Sequence, residues 1–277
     1  MSVDPRWYQL CVLSSLVCVG TLRFELPIQI WHLTYALVGA TTAQLLVSHL
    51  LYQTIRLDAL LSSSISALSL TMILRVNKPS LLALAAILAV GSKYFIRWRG
   101  RHFWNPANFA LVVMSGALTE AWITPGQWGS AFFVAILIAS AGILVVTRAS
   151  RWDVTAAFFV SYGGLLLLRA AWLGDPWRLP LRELQSGALI IFAFYMISDP
   201  KTTPVSRWHR VVFGVLVAIV AVGIRFTWYV TTAPLVSLAV CAWLVPLFDS
   251  FLNRDSSKDN FVPIGAVKNK LISTAQI

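Results

Sequence analysis

The sequence predicts an all-α, polytopic membrane protein with about ten transmembrane helices. Three observations carry this expectation. Of the 277 residues, 58% are apolar and only 12% charged, where a soluble domain carries roughly 25% charged residues. The mean hydropathy is +0.74. The apolar residues also gather into ten runs divided by short polar connections. This composition excludes an ordinary cytosolic enzyme, a disordered chain and a disulfide-stapled secreted module. The net charge of +11 fits basic cytoplasmic loops better than a nucleic-acid partner.

The first run, Trp7 to about Thr21, has the length of a signal peptide. Arg23-Phe24-Glu25 follows it in place of a small-x-small cleavage site, so a retained helix is expected. The runs that follow are Ile30–Tyr52, Leu57–Leu74, Ser80–Ile96, Ala107–Ala121, Ser130–Val146, Val154–Leu173, Gly187–Ile197, Arg210–Arg225 and Thr227–Phe248. Several fall short of 20 residues, which calls for short or tilted helices. Residues 1–249 are expected to form one transmembrane domain, and 250–277 a polar cytoplasmic tail. Cys11, Cys18, Cys241 and the four histidines show no zinc or iron–sulfur spacing.

Orientation follows from counting cations. With the N-terminus inside, 15 of the 22 Lys and Arg residues lie on the cytoplasmic side and seven outside, so both termini are expected in the cytoplasm. Eleven of the twelve tryptophans stand near helix ends, at headgroup depth, and only Trp243 lies well inside a run.

Two connections are too polar and too rich in proline for plain loops. One runs from Lys93 through Arg97, Arg99, Gly100, Arg101 and His102 to Asn105-Pro106-Ala107-Asn108. The other is Ser198-Asp199-Pro200-Lys201-Thr202-Thr203-Pro204, continuing to Arg210. Each places Asn or Asp directly before Pro, the arrangement of a helix N-cap and its first-turn proline. Four spans separate the motifs, so both fall on the face expected to be cytoplasmic. Simple caps and inside-biased charges would account for the residues singly. Two such motifs on one face, with a dozen polar side chains, favour a polar pocket at the membrane boundary.

The first stretch resembles the R-x-R-G-[RK]-H-x-F-N-P-A signature of the RnfD/NqrB family, which unites one membrane component of Rnf with one of the sodium-pumping NADH:quinone oxidoreductase. The second, with Ser186-Gly187-Ala188 before it and Val245-Pro246-Leu247-Phe248-Asp249 closing the region, resembles the family's S-G-A…F-x-x-[ST]-D-P-x-T stretch. The resemblance implies a ten-helix bundle, bound flavin, and electron transfer across the membrane within a multisubunit complex. It departs at the connection after the fifth run, Thr119–Gly129. The family esterifies FMN there to the threonine of a G-x-S-G-A-T motif, whereas this chain has Ser115-Gly116-Ala117-Leu118 and too short a loop. Covalent FMN is therefore not expected. The shortened form is similar to stand-alone RnfD-like (UnbU-type) membrane proteins of bacterial enediyne-type biosynthetic clusters.

On this resemblance the chain is expected to be a multi-pass protein of the bacterial inner membrane, with lipid and other redox subunits as partners and no nucleic acid. A non-covalent flavin, riboflavin or FMN, would sit at the cytoplasmic boundary. Lys93, Arg97, Arg99, Arg101 and Lys201 would face the negative charge of reduced flavin. Asn105, Asn108, Thr202 and Thr203 would bond the ring's carbonyl and imide edge. Asp199 would fix a helix entry or accept the imide N–H, with Pro106 and Pro200 setting the turns. The alternative is a flavin-free transport or accessory protein of a biosynthetic pathway, for which Glu120 is the main intramembrane acid.

Overall fold

A computed structural model describes residues 4–23, 25–52, 57–129 and 132–251. Residues 252–277 of the expected tail lie outside the described residues. Each apolar run coincides with a helix: α1 (Pro5–Arg23), α2 (Ile30–Tyr52), α3 (Leu57–Ile73), α4 (Ser80–Phe95) and α5 (Pro106–Ala117) make a first half. The second holds α6 (Phe132–Arg148), α7 (Trp152–Leu173), α8 (Arg178–Leu184), α9 (Gly187–Ile191), α10 (Arg207–Trp228), α11 (Ala233–Cys241) and α12 (Leu244–Phe251). This is an all-α polytopic membrane protein. Four segments, Ile30–Leu51, Trp152–Leu173, Arg207–Trp228 and Ala233–Ser250, are long and apolar enough to cross a bilayer, and five shorter apolar helices accompany them. Large apolar side chains such as Leu50, Val160 and Leu168 point outward, as they do where the surrounding solvent is lipid.

The bundle closes through small residues. A Cβ on Gly39 would lie 2.6 Å from the Ala83 carbonyl oxygen, so only glycine lets α2 and α4 approach this closely. The halves meet where α1 packs on α6 and α5 on α11. Two short antiparallel ladders mark opposite ends of the bundle. At one end β1 (Leu74–Val76) pairs with β4 (Ala121–Ile123), and at the other β2 (Arg97–Trp98) pairs with β3 (Arg101–His102).

Three features depart from the expected pattern. α8 lies inside a predicted connection. The eighth run changes from α9 to a π-helical turn at Phe192–Met196, where the Ile197 N–H reaches the Phe192 carbonyl. Thr155 Oγ1 donates to the Ala193 carbonyl at 2.8 Å, satisfying an acceptor within the widened turn. The last run tightens at Ala242–Trp243. Pro246 has no N–H to offer the Ala242 carbonyl four residues back, and Val245 N–H takes its place at 3.1 Å. Trp243 lies inside the Ala233–Ser250 span as expected and is 58% exposed.

Candidate functional site

The first motif is a hairpin followed by a capped helix. Arg99 and Gly100 link β2 to β3 with φ of +49° and +83°. Positive φ at both central residues is the two-residue turn whose twist matches its strands. Glycine adopts it freely, and arginine at a cost of about 1–3 kcal/mol. α5 then begins as its sequence predicts. Asn105 Oδ1 accepts from the Asn108 N–H at 3.0 Å, with Pro106 in the first turn.

The second motif is not a helix cap, which corrects the expectation for Asp199. Its carboxylate accepts from the Lys201 N–H at 2.9 Å, and its carbonyl oxygen accepts from the Thr202 and Thr203 N–H groups and the Thr203 hydroxyl. α10 starts only at Arg207. Pro204 disfavours helical backbone at Thr203, so a tight turn stands where a first helical turn was expected.

The two motifs close on one another. Arg101 reaches across with Nε to the Lys201 carbonyl (2.7 Å), Nη2 to the Pro200 and Thr203 carbonyls (3.0 and 2.5 Å) and Nη1 to the Asp249 carboxylate (3.2 Å). The amide of Asn105 donates to the Met196 carbonyl at 3.2 Å and to Asp199 Oδ2 at 3.5 Å. Val205, just beyond, is held from both sides, its N–H by Asp249 and its carbonyl by Arg210. Arg210 is itself locked to buried Asp153 by bonds of 2.6–3.0 Å. None of the Asp249 or Asp153 contacts was read from the sequence. The Val-Pro-Leu-Phe-Asp run was its only signal for Asp249.

The other predicted site residues fall around this clasp. Lys93 is buried and donates to the carbonyl and hydroxyl of Ser62, each at 3.1 Å. Arg97 donates to the Lys93 carbonyl and lies 5.0 Å from the Tyr94 ring centre. Arg99, Pro200 and Lys201 are exposed, whereas Pro106, Thr202 and Thr203 are buried. The Thr203 hydroxyl is spent on the Asp199 carbonyl rather than turned to a ligand. Burial and the cations Lys201, Lys93, Arg97 and Arg101 push the His102 imidazole down to about 3. The Arg6 guanidinium, bonded to the Asp4 carboxylate, holds it below the usual carboxylate range.

Two buried polar atoms beside the clasp have no partner among the described residues, Asn108 Oδ1 and Trp104 Nε1. Asn108 Nδ2 meanwhile donates to the Leu235 carbonyl at 3.1 Å, tying α5 to α11. Trp104 packs against Phe109 and Trp243, with ring centres 5.0 and 5.5 Å away. At the opposite end Glu120 pairs with Lys78 at 3.1 Å, and neither side chain is buried. In the shortened connection Thr119 is exposed, and the Thr124 hydroxyl is buried without a partner among the described residues.

An all-α bundle of two halves, clasped at one end by a charged hairpin and an Asp-Pro turn, defines a class of multi-pass membrane proteins. The model of the NQR2, RnfD, RnfE family matches residues 115–258, more than half of the chain, and the chain belongs to that family. Among curated relatives it is similar to the RnfD component of the ion-translocating oxidoreductase complex of Cronobacter sakazakii, 31% identical over 132 residues, which are 46% of this chain and 35% of the relative. The corresponding proteins of Citrobacter koseri (29% over 105 residues) and Alcanivorax borkumensis (34% over 84 residues) match 38% and 30% of this chain. In all three, the matched stretch spans only about a quarter to a third of the relative's length.

Proposed function

We propose that this chain is a membrane electron-transfer subunit that holds one flavin, riboflavin or FMN, without a covalent bond at the clasped end. That end faces the cytoplasm of a bacterial inner membrane, and other redox subunits are its partners. Family membership supports the class. The observation that carries the site is the unpartnered pair beside the clasp: a buried acceptor, Asn108 Oδ1, and a buried donor, Trp104 Nε1. A flavin ring needs such a pair, an acceptor for its imide N–H and a donor for a ring carbonyl.

Lys93, Arg97, Arg99 and Lys201 make the surroundings positive, which favours the anionic reduced ring and raises its potential. Phe109 and Trp243, packed on Trp104, supply aromatic surface for the ring to rest on. Arg101, Asn105, Asp199, Pro200, Thr202 and Thr203 act on the joint rather than on the ring, holding the two motifs in register. A bound flavin would supply one- and two-electron carriage. Among the described residues, the short connection after α5 offers Thr119 alone as an exposed hydroxyl, without the attachment motif.

The test is flavin content per chain in detergent-purified protein. Asn108→Leu and Trp104→Phe should lower it sharply, and Lys78→Gln at the opposite end should leave it unchanged. Occupancy indifferent to both motif variants would overturn the site.

A further inference from the structure

A cavity of about 610 Å³ lies at the end of the bundle away from the clasp. It is framed by the last turn of α7, by α8 and by the last turn of α10, and its volume falls within the roughly 300–1,000 Å³ of small-molecule sites. Leu166 and Phe226 give it an apolar wall. Arg169 and Arg225 also line it, each bonded to one carboxylate: Arg169 to Asp175 at 3.1 Å, Arg225 to Glu183 at 2.9 Å. The Arg169 guanidinium lies 3.8 Å above the Phe226 ring, so packing holds it in place. With Arg182 at the rim, three guanidinium groups meet two carboxylates and the lining is net positive.

Each of these guanidinium groups has five N–H donors, and the ion pairs use one from Arg169 and one from Arg225. Both guanidinium groups therefore keep donors beyond those ion pairs while lining the cavity. Glu183 is already stabilised by Arg225 and by the Tyr162 hydroxyl at 3.5 Å, so its charge does not repel an incoming anion at full strength. A second cavity, about 40 Å³, shares Glu183 and Ser186 with the first and continues inward along apolar side chains to Phe192 and Leu235.

We infer that this vestibule binds an amphiphilic organic anion. A carboxylate or phosphate-monoester head sits between Arg169 and Arg225, and an apolar body lies against Phe226 and Leu166. The arginine fork matches both heads in geometry. The exposed Trp172, Trp177 and Trp228 beside the cavity place its mouth at headgroup depth. The anion can thus come from water or from a lipid headgroup, and the test separates the two.

The experiment is isothermal titration of the full chain, in a neutral maltoside detergent, with benzoate and with phenyl phosphate. Benzyl alcohol is the uncharged control. Saturable binding of either acid is expected, with none for the alcohol. Arg169→Gln/Asp175→Asn and Arg225→Gln/Glu183→Gln remove both members of an ion pair and so leave no buried charge unpaired. Each double variant should weaken binding about tenfold or more, at a thermal midpoint close to that of the parent. Repeating the titration in phosphatidylcholine nanodiscs with phosphatidylglycerol added identifies the source. Loss of acid binding marks a lipid headgroup, and unchanged binding a soluble acid. Absence of saturable binding by both acids, equal binding of the alcohol, or full affinity in both double variants would overturn the inference. Acid binding is read at the opposite end from the clasp and needs no flavin, so failure here is distinct from failure of the flavin site, which is read as flavin content.

Discussion

Replacing Arg101 by Met should open the joint between the two motifs. The guanidinium serves three main-chain carbonyls, of Pro200, Lys201 and Thr203, and the Asp249 carboxylate. A buried charge-assisted bond contributes about 1.5–3 kcal/mol. Here the Arg101 and Asp249 side chains are 30% and 22% exposed, and water takes over part of each contact in the variant. The expected total is about 2–4 kcal/mol, well below the sum of four buried bonds. For a chain of this size that corresponds to a fall in thermal midpoint of about 5–15 °C. Arg101→Lys should recover little, because an ammonium cannot reproduce the fork that reaches three carbonyls at once. Arg99→Ala, at an exposed turn residue, is the control and should shift the midpoint by less than about 2 °C. The assay is detergent-phase thermal unfolding, with amide hydrogen exchange over residues 199–205 as the local readout. Exchange there should accelerate in Arg101→Met and not in Arg99→Ala. Equal midpoints for the two variants, or unchanged exchange, would refute the clasp.

Three further outcomes follow from the same contacts. Folded His102 refuses the proton that an unfolded imidazole takes up below about 6.5, so stability should be flat above that pH and decline toward 3; the loss between pH 6.5 and 5 should be about 2 kcal/mol, and His102→Gln should flatten the unfolding curve. Arg210→Leu leaves the buried Asp153 carboxylate with only the exposed Arg207, 3.9 Å away, as an ion-pair partner among the described residues and should cost about 3 kcal/mol, much of it restored by adding Asp153→Asn, as a double-mutant cycle of unfolding midpoints would register. Gly39→Val drives a side chain into the α4 backbone and should abolish monodisperse elution from a sizing column, whereas Gly164→Val, with open space around its Cβ, should not.

The helices were legible because each apolar run carries its own length and its own polar ends, and neither depends on what packs beside it. Asn105 was legible for the same reason, since a cap is a contact over three residues. Asp199 shows where local reading fails. Its Asp-Pro pair is identical in form to a cap, and Pro204, a few residues downstream, decides for a turn instead. The Arg97–His102 hairpin has two-residue strands, too short for any periodic signal, and seats Arg99 where a turn favours Asn or Gly. Contacts that join distant segments were invisible. Arg101 and Asp249 are 148 residues apart, and Asp153 and Arg210 are 57. The vestibule was illegible as a site because Arg169, Asp175, Glu183 and Arg225 come from three separate helix ends, and in sequence they are ordinary charges at the ends of apolar runs and in the connection between them.

The non-covalent flavin site is tested most directly by where flavin goes when the purified protein is denatured. The chain, expressed together with a flavin-attaching transferase, is denatured in acid; flavin is then counted in the supernatant and the intact mass of the precipitate is measured. About one flavin per chain is expected in the supernatant, with a protein mass equal to that of the bare polypeptide. A native preparation without flavin would contradict it, as would an FMN mass retained on Thr119 or Thr124.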